Sequence, residues 1–84
     1  MHYVYFLRSQ KNSKLYVGYS QKAPSVRLVE HNKGSNKWTK QNGPFKLIYY
    51  ESYICEEDGR NREKFYKTGF GKKIKKVISD SLDS

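Results

Sequence analysis

The sequence predicts an α+β domain in which an N-terminal β-hairpin and a third strand are flanked by about three helices. Three observations lead there. Residues 3–8 and 14–19 are rich in aromatic and β-branched side chains and flank the polar Gln10-Lys11-Asn12-Ser13, the pattern of a hairpin. Phe45–Tyr53 reads as a strand whose run Leu47-Ile48-Tyr49-Tyr50 lacks clean alternation, which suits cover on both faces. Segments 24–33, 55–68 and 71–82 carry helical signals and supply that cover.

Within the hairpin the loop parity puts Tyr5, Tyr16 and Gly18 on one face. Two phenols beside a bare backbone position make either a half-buried aromatic face or the floor of a site. The 84 residues form one small domain, 1–84, which buries only about 60–65 % of the surface its unfolded chain exposes. Eight tyrosines predict a thin core rimmed with phenols. The net charge of +9 favours a polyanionic partner, nucleic acid ahead of a membrane surface or an acidic protein. With no transmembrane-length apolar run, signal peptide or lipidation box in the sequence, the expected setting is cytoplasmic. The single Cys55 excludes an internal disulfide and reads as a semi-buried filler; with two histidines it makes too few ligands for a structural metal.

In chain order, Pro24 suits the first turn of a helix that runs to about Lys33 and stops at Gly34. Val26 and Val29 make its apolar stripe, with Leu28 at the flank. Arg27 and His31 stack one turn apart on another face. Arg27 is either a solvated charge paired with Glu30 or a bidentate grip on phosphate, and His31 either complements the helix dipole or handles a proton. Residues 35–44 read as a loop or short irregular element; Lys37, Trp38 and Lys40 interleave charge and ring there, as in nucleic-acid contacts, although a lone Trp in a small domain is more often a core residue.

After the third strand, Glu51 is expected at its exposed end. The helix over 55–68 has Glu56, Glu57 and Asp58 in its first turn and should end at Gly69, while Gly59 inside it marks a close approach to another element. Glu63 is the one acid among eight basic residues between Arg60 and Lys76. It is either an i,i+4 partner of Lys67 or a carboxylate held near phosphate by a divalent metal. The last helix, 71–82, buries Ile74, Val77, Ile78 and Leu82; Lys72, Lys73, Lys75 and Lys76 form a basic face that can serve as a phosphate rail, ahead of a short tail of Asp80, Asp83 and Ser84.

Laid out in this order, the chain resembles the GIY-YIG nuclease family, in its small stand-alone branch. Tyr3-Val4-Tyr5 is similar to the first motif and Tyr16-Val17-Gly18 to the second; Arg27-Leu28-Val29-Glu30-His31-Asn32 looks like the helix with the catalytic arginine and a histidine. Residues 44–51 resemble the third strand, and Arg62-Glu63-Lys64 the helix with the metal-binding glutamate. Tyr3 stands where the family name has Gly, Gly59 where alanine is expected, and Lys75 and Lys76 where some members carry an asparagine.

The resemblance implies a three-stranded antiparallel sheet flanked by helices and metal-dependent hydrolysis of a phosphodiester in nucleic acid, DNA ahead of RNA, by a monomer or homodimer. A phenol is only about 0.1 % ionised at pH 7, so Tyr5 or Tyr16 needs a nearby cation to act as a base. The implied roles are Tyr5 taking the proton of the attacking water, Tyr16 orienting water or phosphate, the two being interchangeable, Arg27 neutralising the phosphate, and His31 assisting proton transfer. Glu63 holds one Mg²⁺ or Mn²⁺, Gly18 shapes the site, and Lys37, Trp38, Lys40, Lys72, Lys73 and Lys76 contact the nucleic acid. The alternative is a catalytically silent nucleic-acid-binding module on the same fold.

Replacing Lys72, Lys73, Lys75 and Lys76 together with Ala is expected to flatten the salt dependence of nucleic-acid binding, each lost phosphate contact taking about 0.9 from the log–log slope. A titration series with an unchanged slope would put the nucleic acid on another face.

Overall fold

The computed structural model describes residues 1–34 and 36–82. Strands β1 (His2–Ser9), β2 (Leu15–Ser20) and β3 (Phe45–Tyr53) form one antiparallel sheet in the order β2-β1-β3. Among the described residues there are four helices: α1 (Pro24–Asn32), α2 (Lys37–Asn42), α3 (Glu56–Tyr66) and α4 (Gly69–Leu82). The central strand β1 is fully buried from Val4 to Leu7. Tyr5 lies opposite Gly18 and Leu7 opposite Tyr16, so the two phenols and the glycine share a face as the hairpin parity requires.

The sheet separates two cores. On one face Val4, Phe6 and Val17 pack with Tyr66 of α3, and Ile48, Tyr49, Ile74 and Ile78 close around them. On the other, Tyr5, Leu7 and Phe45 pack with Tyr16, Leu28, Trp38 and Leu47. A β-bulge accounts for the irregular pattern of β3: Phe6 opposes Tyr49 but Leu7 opposes Leu47, leaving Ile48 as the extra residue. Leu47 therefore joins one core while Ile48 and Tyr49 join the other.

Several expectations are corrected. On α1, Val26 and Val29 are about half exposed, and the inward face is instead Pro24, Leu28 and the buried His31. Gly34 does close that helix, with φ of 82°. Segment 35–44 contains a helix rather than a loop, because Asn36 and Thr39 form a reciprocal capping box: Asn36 Oδ1 accepts the Thr39 N–H at 2.9 Å and Thr39 Oγ1 accepts the Asn36 N–H at 3.2 Å. Gly69 opens α4 instead of ending α3. Thr68 is the cap, its Oγ1 accepting the Gly71 N–H at 3.0 Å. Val77 and Leu82 of α4 are exposed, as is Cys55. Gly59 does mark a close approach, since a Cβ there would lie 3.1 Å from the Tyr19 ring and 3.3 Å from His2 Cβ. Asp80, expected in the tail, belongs to α4, and Ser35, Asp83 and Ser84 lie outside the described residues.

Glu51 departs furthest from expectation. It is no exposed strand end; its side chain is 12 % accessible and accepts hydrogen bonds from Tyr49 Oη at 2.7 Å, Tyr53 Oη at 2.5 Å, Arg62 Nε at 3.0 Å and Tyr66 Oη. Burial raises its pKa, but the donors, Tyr53 and Tyr66 foremost, outweigh burial and hold the carboxyl below its ordinary range. The partner phenols respond oppositely: burial and the carboxylate push Tyr53 up to about 12.

A carboxylate with a depressed folded pKa stabilises the fold above its unfolded value, about 4.3, and that stability is lost as pH falls through the folded value. Glu51→Ala should cost about 2–4 kcal/mol at pH 7 in urea unfolding, because it strands three phenols and a guanidinium. Glu51→Gln should flatten the loss of stability below about pH 4.3. Parent-like stability in both variants would deny the carboxylate its structural role.

Candidate active site

Tyr5 is placed by the middle of β1, and Gly18 across the ladder makes room for it. A Cβ at position 18 would sit 2.4 Å from Tyr5 Cζ and Oη. The bare backbone thus lets the phenol lie over β2. Leu28 packs α1 onto this same face, bringing Arg27 and the buried His31 to the hydroxyl.

The three side chains form one hydrogen-bonded group. Tyr5 Oη lies 3.0 Å from His31 Nε2, Arg27 Nε donates to Tyr5 Oη at 3.3 Å, and Arg27 Nη2 lies 3.4 Å from His31 Nε2. A guanidinium has only donors, so His31 Nε2 is the acceptor, the Tyr5 hydroxyl donates to it, and the imidazole proton sits on Nδ1. Burial, then the charge of Arg27, lowers the pKa of His31 despite Glu30, which keeps the ring neutral. For Tyr5, burial raises the phenol pKa and exceeds the opposing hydrogen bond and charge of Arg27. In the free chain Arg27 by itself does not bring this phenol down, because burial outweighs it and the neutral imidazole contributes no charge.

Arg27 is held from its other side by Glu30, whose Oε1 accepts from Nη1 at 2.7 Å. Lys22 Nζ caps the same carboxylate at 2.8 Å, a pairing across eight residues that helical spacing does not predict. Tyr16 packs its ring 4.8 Å from His31 and 5.5 Å from Trp38, centroid to centroid, and its hydroxyl has no partner among the described residues. Trp38 also stacks on Phe45 at 5.6 Å, so it braces Tyr16 from within the second core.

Glu63 lies on α3. Its charge acts on the Tyr5 phenol, and its Oε2 lies 3.4 Å from Lys67 Nζ, the i,i+4 pair. Among the described residues no three His, Cys, Asp or Glu side chains gather into a metal cage. A single accessible carboxylate nevertheless fits Mg²⁺ or Mn²⁺, which completes its shell with water and phosphate oxygens. Beside Tyr16, a cavity of about 340 Å³ is lined by Leu15, Val17, Tyr66 and three lysines, Lys67, Lys72 and Lys75. Lys37, Lys40, Lys73 and Lys76 are exposed and stand apart from it. The half-buried Lys75, expected on the basic face of α4, lines the cavity, and Lys67 is a site neighbour beyond the expected nucleic-acid contacts; its i+4 spacing from Glu63 is the signal that would have found it.

A family model described as the GIY-YIG catalytic domain matches residues 1–76. A UPF0213 protein of Staphylococcus epidermidis is 34 % identical over 80 residues, which is 94 % of this chain and 95 % of the relative. A UPF0213 protein of Clostridium perfringens is 35 % identical over 68 residues, 80 % and 71 % of the two chains. One from Pediococcus pentosaceus is 39 % identical over 66 residues, 77 % and 67 %. No solved structure matches the chain.

Gly18→Ala should displace the Tyr5 ring and cost about 1–3 kcal/mol, the usual range for overpacking. Equilibrium unfolding checks the cost. His31 has a folded pKa below its unfolded value of about 6.5, so the unfolded chain binds more protons in between. Stability should therefore fall as pH drops from about 6.5 toward the folded value, and His31→Gln should remove that slope. Because His2 is unchanged in both proteins, the difference between the two curves isolates His31.

Proposed function

The chain belongs to the GIY-YIG family, and on that premise we propose that it is an endonuclease hydrolysing phosphodiester bonds in nucleic acid, DNA ahead of RNA, with one Mg²⁺ or Mn²⁺ held by Glu63. The observation that carries this reading is the run of hydrogen bonds from Arg27 to Tyr5 to His31, which ends in a neutral imidazole whose Nε2 accepts the phenol's hydrogen bond.

Tyr5 is fully buried in the free chain, and Arg27 covers its hydroxyl. An incoming phosphate draws the guanidinium onto itself, where it neutralises the charge that develops in the transition state. This uncovers Tyr5 Oη. It also removes the positive charge that lowers His31, so the imidazole becomes a better proton acceptor when substrate arrives. A water then gives its proton to Tyr5 Oη as the phenol passes its own to His31 Nε2, and the oxygen left behind forms the new bond to phosphorus while the strand's leaving oxygen departs. Tyr16, whose hydroxyl has no partner among the described residues, orients the water or a phosphate oxygen. A bound ion on Glu63 supplies positive charge for the leaving oxygen.

The Lys67 contact to Glu63 and the burial of Tyr5 favour a second reading, a silent binding module on the same fold. Nicking of supercoiled plasmid, branched DNA and RNA with Mg²⁺, Mn²⁺ or EDTA separates the two. The nuclease reading expects metal-dependent cutting that Tyr5→Phe lowers about 10²-fold or more while binding survives. Glu63→Ala should abolish the metal response; undiminished cutting by it would remove the metal from Glu63. Catalysis on saturating substrate should rise with pH as His31 loses its proton.

A further inference from the structure

The cavity beside Tyr16 has a chemistry that hydrolysis at Tyr5 does not use. Its walls combine the apolar Leu15, Val17 and Tyr66 with the rings of Tyr16 and Trp38, and Lys67, Lys72 and Lys75 converge on it from the turn after α3 and from α4. Among the described residues, Lys72 and Lys75 have no carboxylate partner, whereas Lys67 has Glu63. Two uncompensated positive charges therefore face one hollow. We infer that this cavity is a receptor for a terminal phosphate monoester on a nucleic-acid strand, with Lys72 and Lys75 binding the phosphate, Lys67 beside them, and the aromatic and apolar wall taking the nucleoside that carries it. The inference rests on the nucleic-acid reading above and names the part of the substrate that this hollow selects.

Charge and size argue for an end rather than an internal linkage. A phosphate monoester is close to a dianion at pH 7, its second pKa being about 6, and so matches two unpaired ammoniums; an internal diester carries a single charge. A volume of about 340 Å³ is at the small end for a ligand pocket and suits one nucleotide unit. Burial, and then the charges of Lys72 and Lys67, push the Lys75 ammonium below the ordinary lysine range, which a bound anion would relieve. Placed here, a strand end lies against Tyr16 and close to Glu63, so the protein would engage nicks, termini and its own products through their phosphates.

The test measures binding without turnover, in EDTA and at fixed ionic strength, so that a failure of cutting leaves it readable. Short oligonucleotides with a 5′-phosphate, a 3′-phosphate or two hydroxyl ends compete against a labelled strand, with inorganic phosphate as a separate arm. One phosphorylated end should bind about tenfold or more tighter than the hydroxyl-ended strand, the worth of about one charge-assisted hydrogen bond. Lys75→Gln and Lys72→Gln should each reduce that preference, and together remove it; Lys72 is exposed, so its variant stays folded even if the half-buried position 75 does not tolerate glutamine. Equal binding of phosphorylated and hydroxyl ends overturns the inference, as does a preference that survives both substitutions. Inorganic phosphate competing as well as a phosphorylated strand would deny the nucleoside its place on the wall.

Discussion

The Tyr5 ring lying across Gly18 is the contact on which the second face of the sheet depends. The ring belongs to the most buried strand, and its hydroxyl is the point where strand and helix α1 meet through polar atoms rather than through methyl groups. Without the glycine the phenol could not occupy that place, and His31 and Arg27 would have no common partner. Packing and chemistry are thus one arrangement here. The apolar contacts of Leu28 bring the helix down, and the hydrogen bonds decide its rotation.

The two faces use the same residue type for opposite ends. On the α3 and α4 side, three phenols donate to the Glu51 carboxylate, and each becomes harder to ionise. On the α1 side a phenol meets a guanidinium and a neutral imidazole, so its proton has somewhere to go. A small domain with a thin core can use such groups because the buried polar atoms of these two networks are partnered, where an unpaired one would cost about 1–3 kcal/mol. The sheet between them keeps the structural network and the reactive one apart.

The hairpin, its register and the joint face of Tyr5, Tyr16 and Gly18 were legible because strand alternation is a parity rule that does not depend on the rest of the fold. Arg27 beside His31 followed from helical spacing in the same way. What hydrophobicity hid were the polar residues that fold inward. Val26 and Val29 looked like the buried stripe of α1, yet the helix turns its His31 side to the sheet because Tyr5 offers a hydrogen bond there. Glu51 looked like an exposed end, since a carboxylate is read as solvated unless its donors are known, and two of its four donors, Arg62 and Tyr66, arrive from α3. Helix α2 and the start of α4 escaped for a smaller reason: each is set by a capping side chain, Asn36 with Thr39 and Thr68, that acts over one turn only.

The bulge in β3 makes that strand a message written in two phases. Up to Leu47 its odd-numbered side chains face α1 and α2; from Tyr49 onward the odd-numbered ones, Tyr49, Glu51 and Tyr53, face α3 and α4. Ile48 is the one-residue insertion that changes the phase. Losing it would leave every later side chain intact in identity and wrong in direction, sending the carboxylate and its phenols toward the α1 side of the sheet. The strand can accept substitutions by the chemistry of each site, but its length at this point behaves like a reading frame.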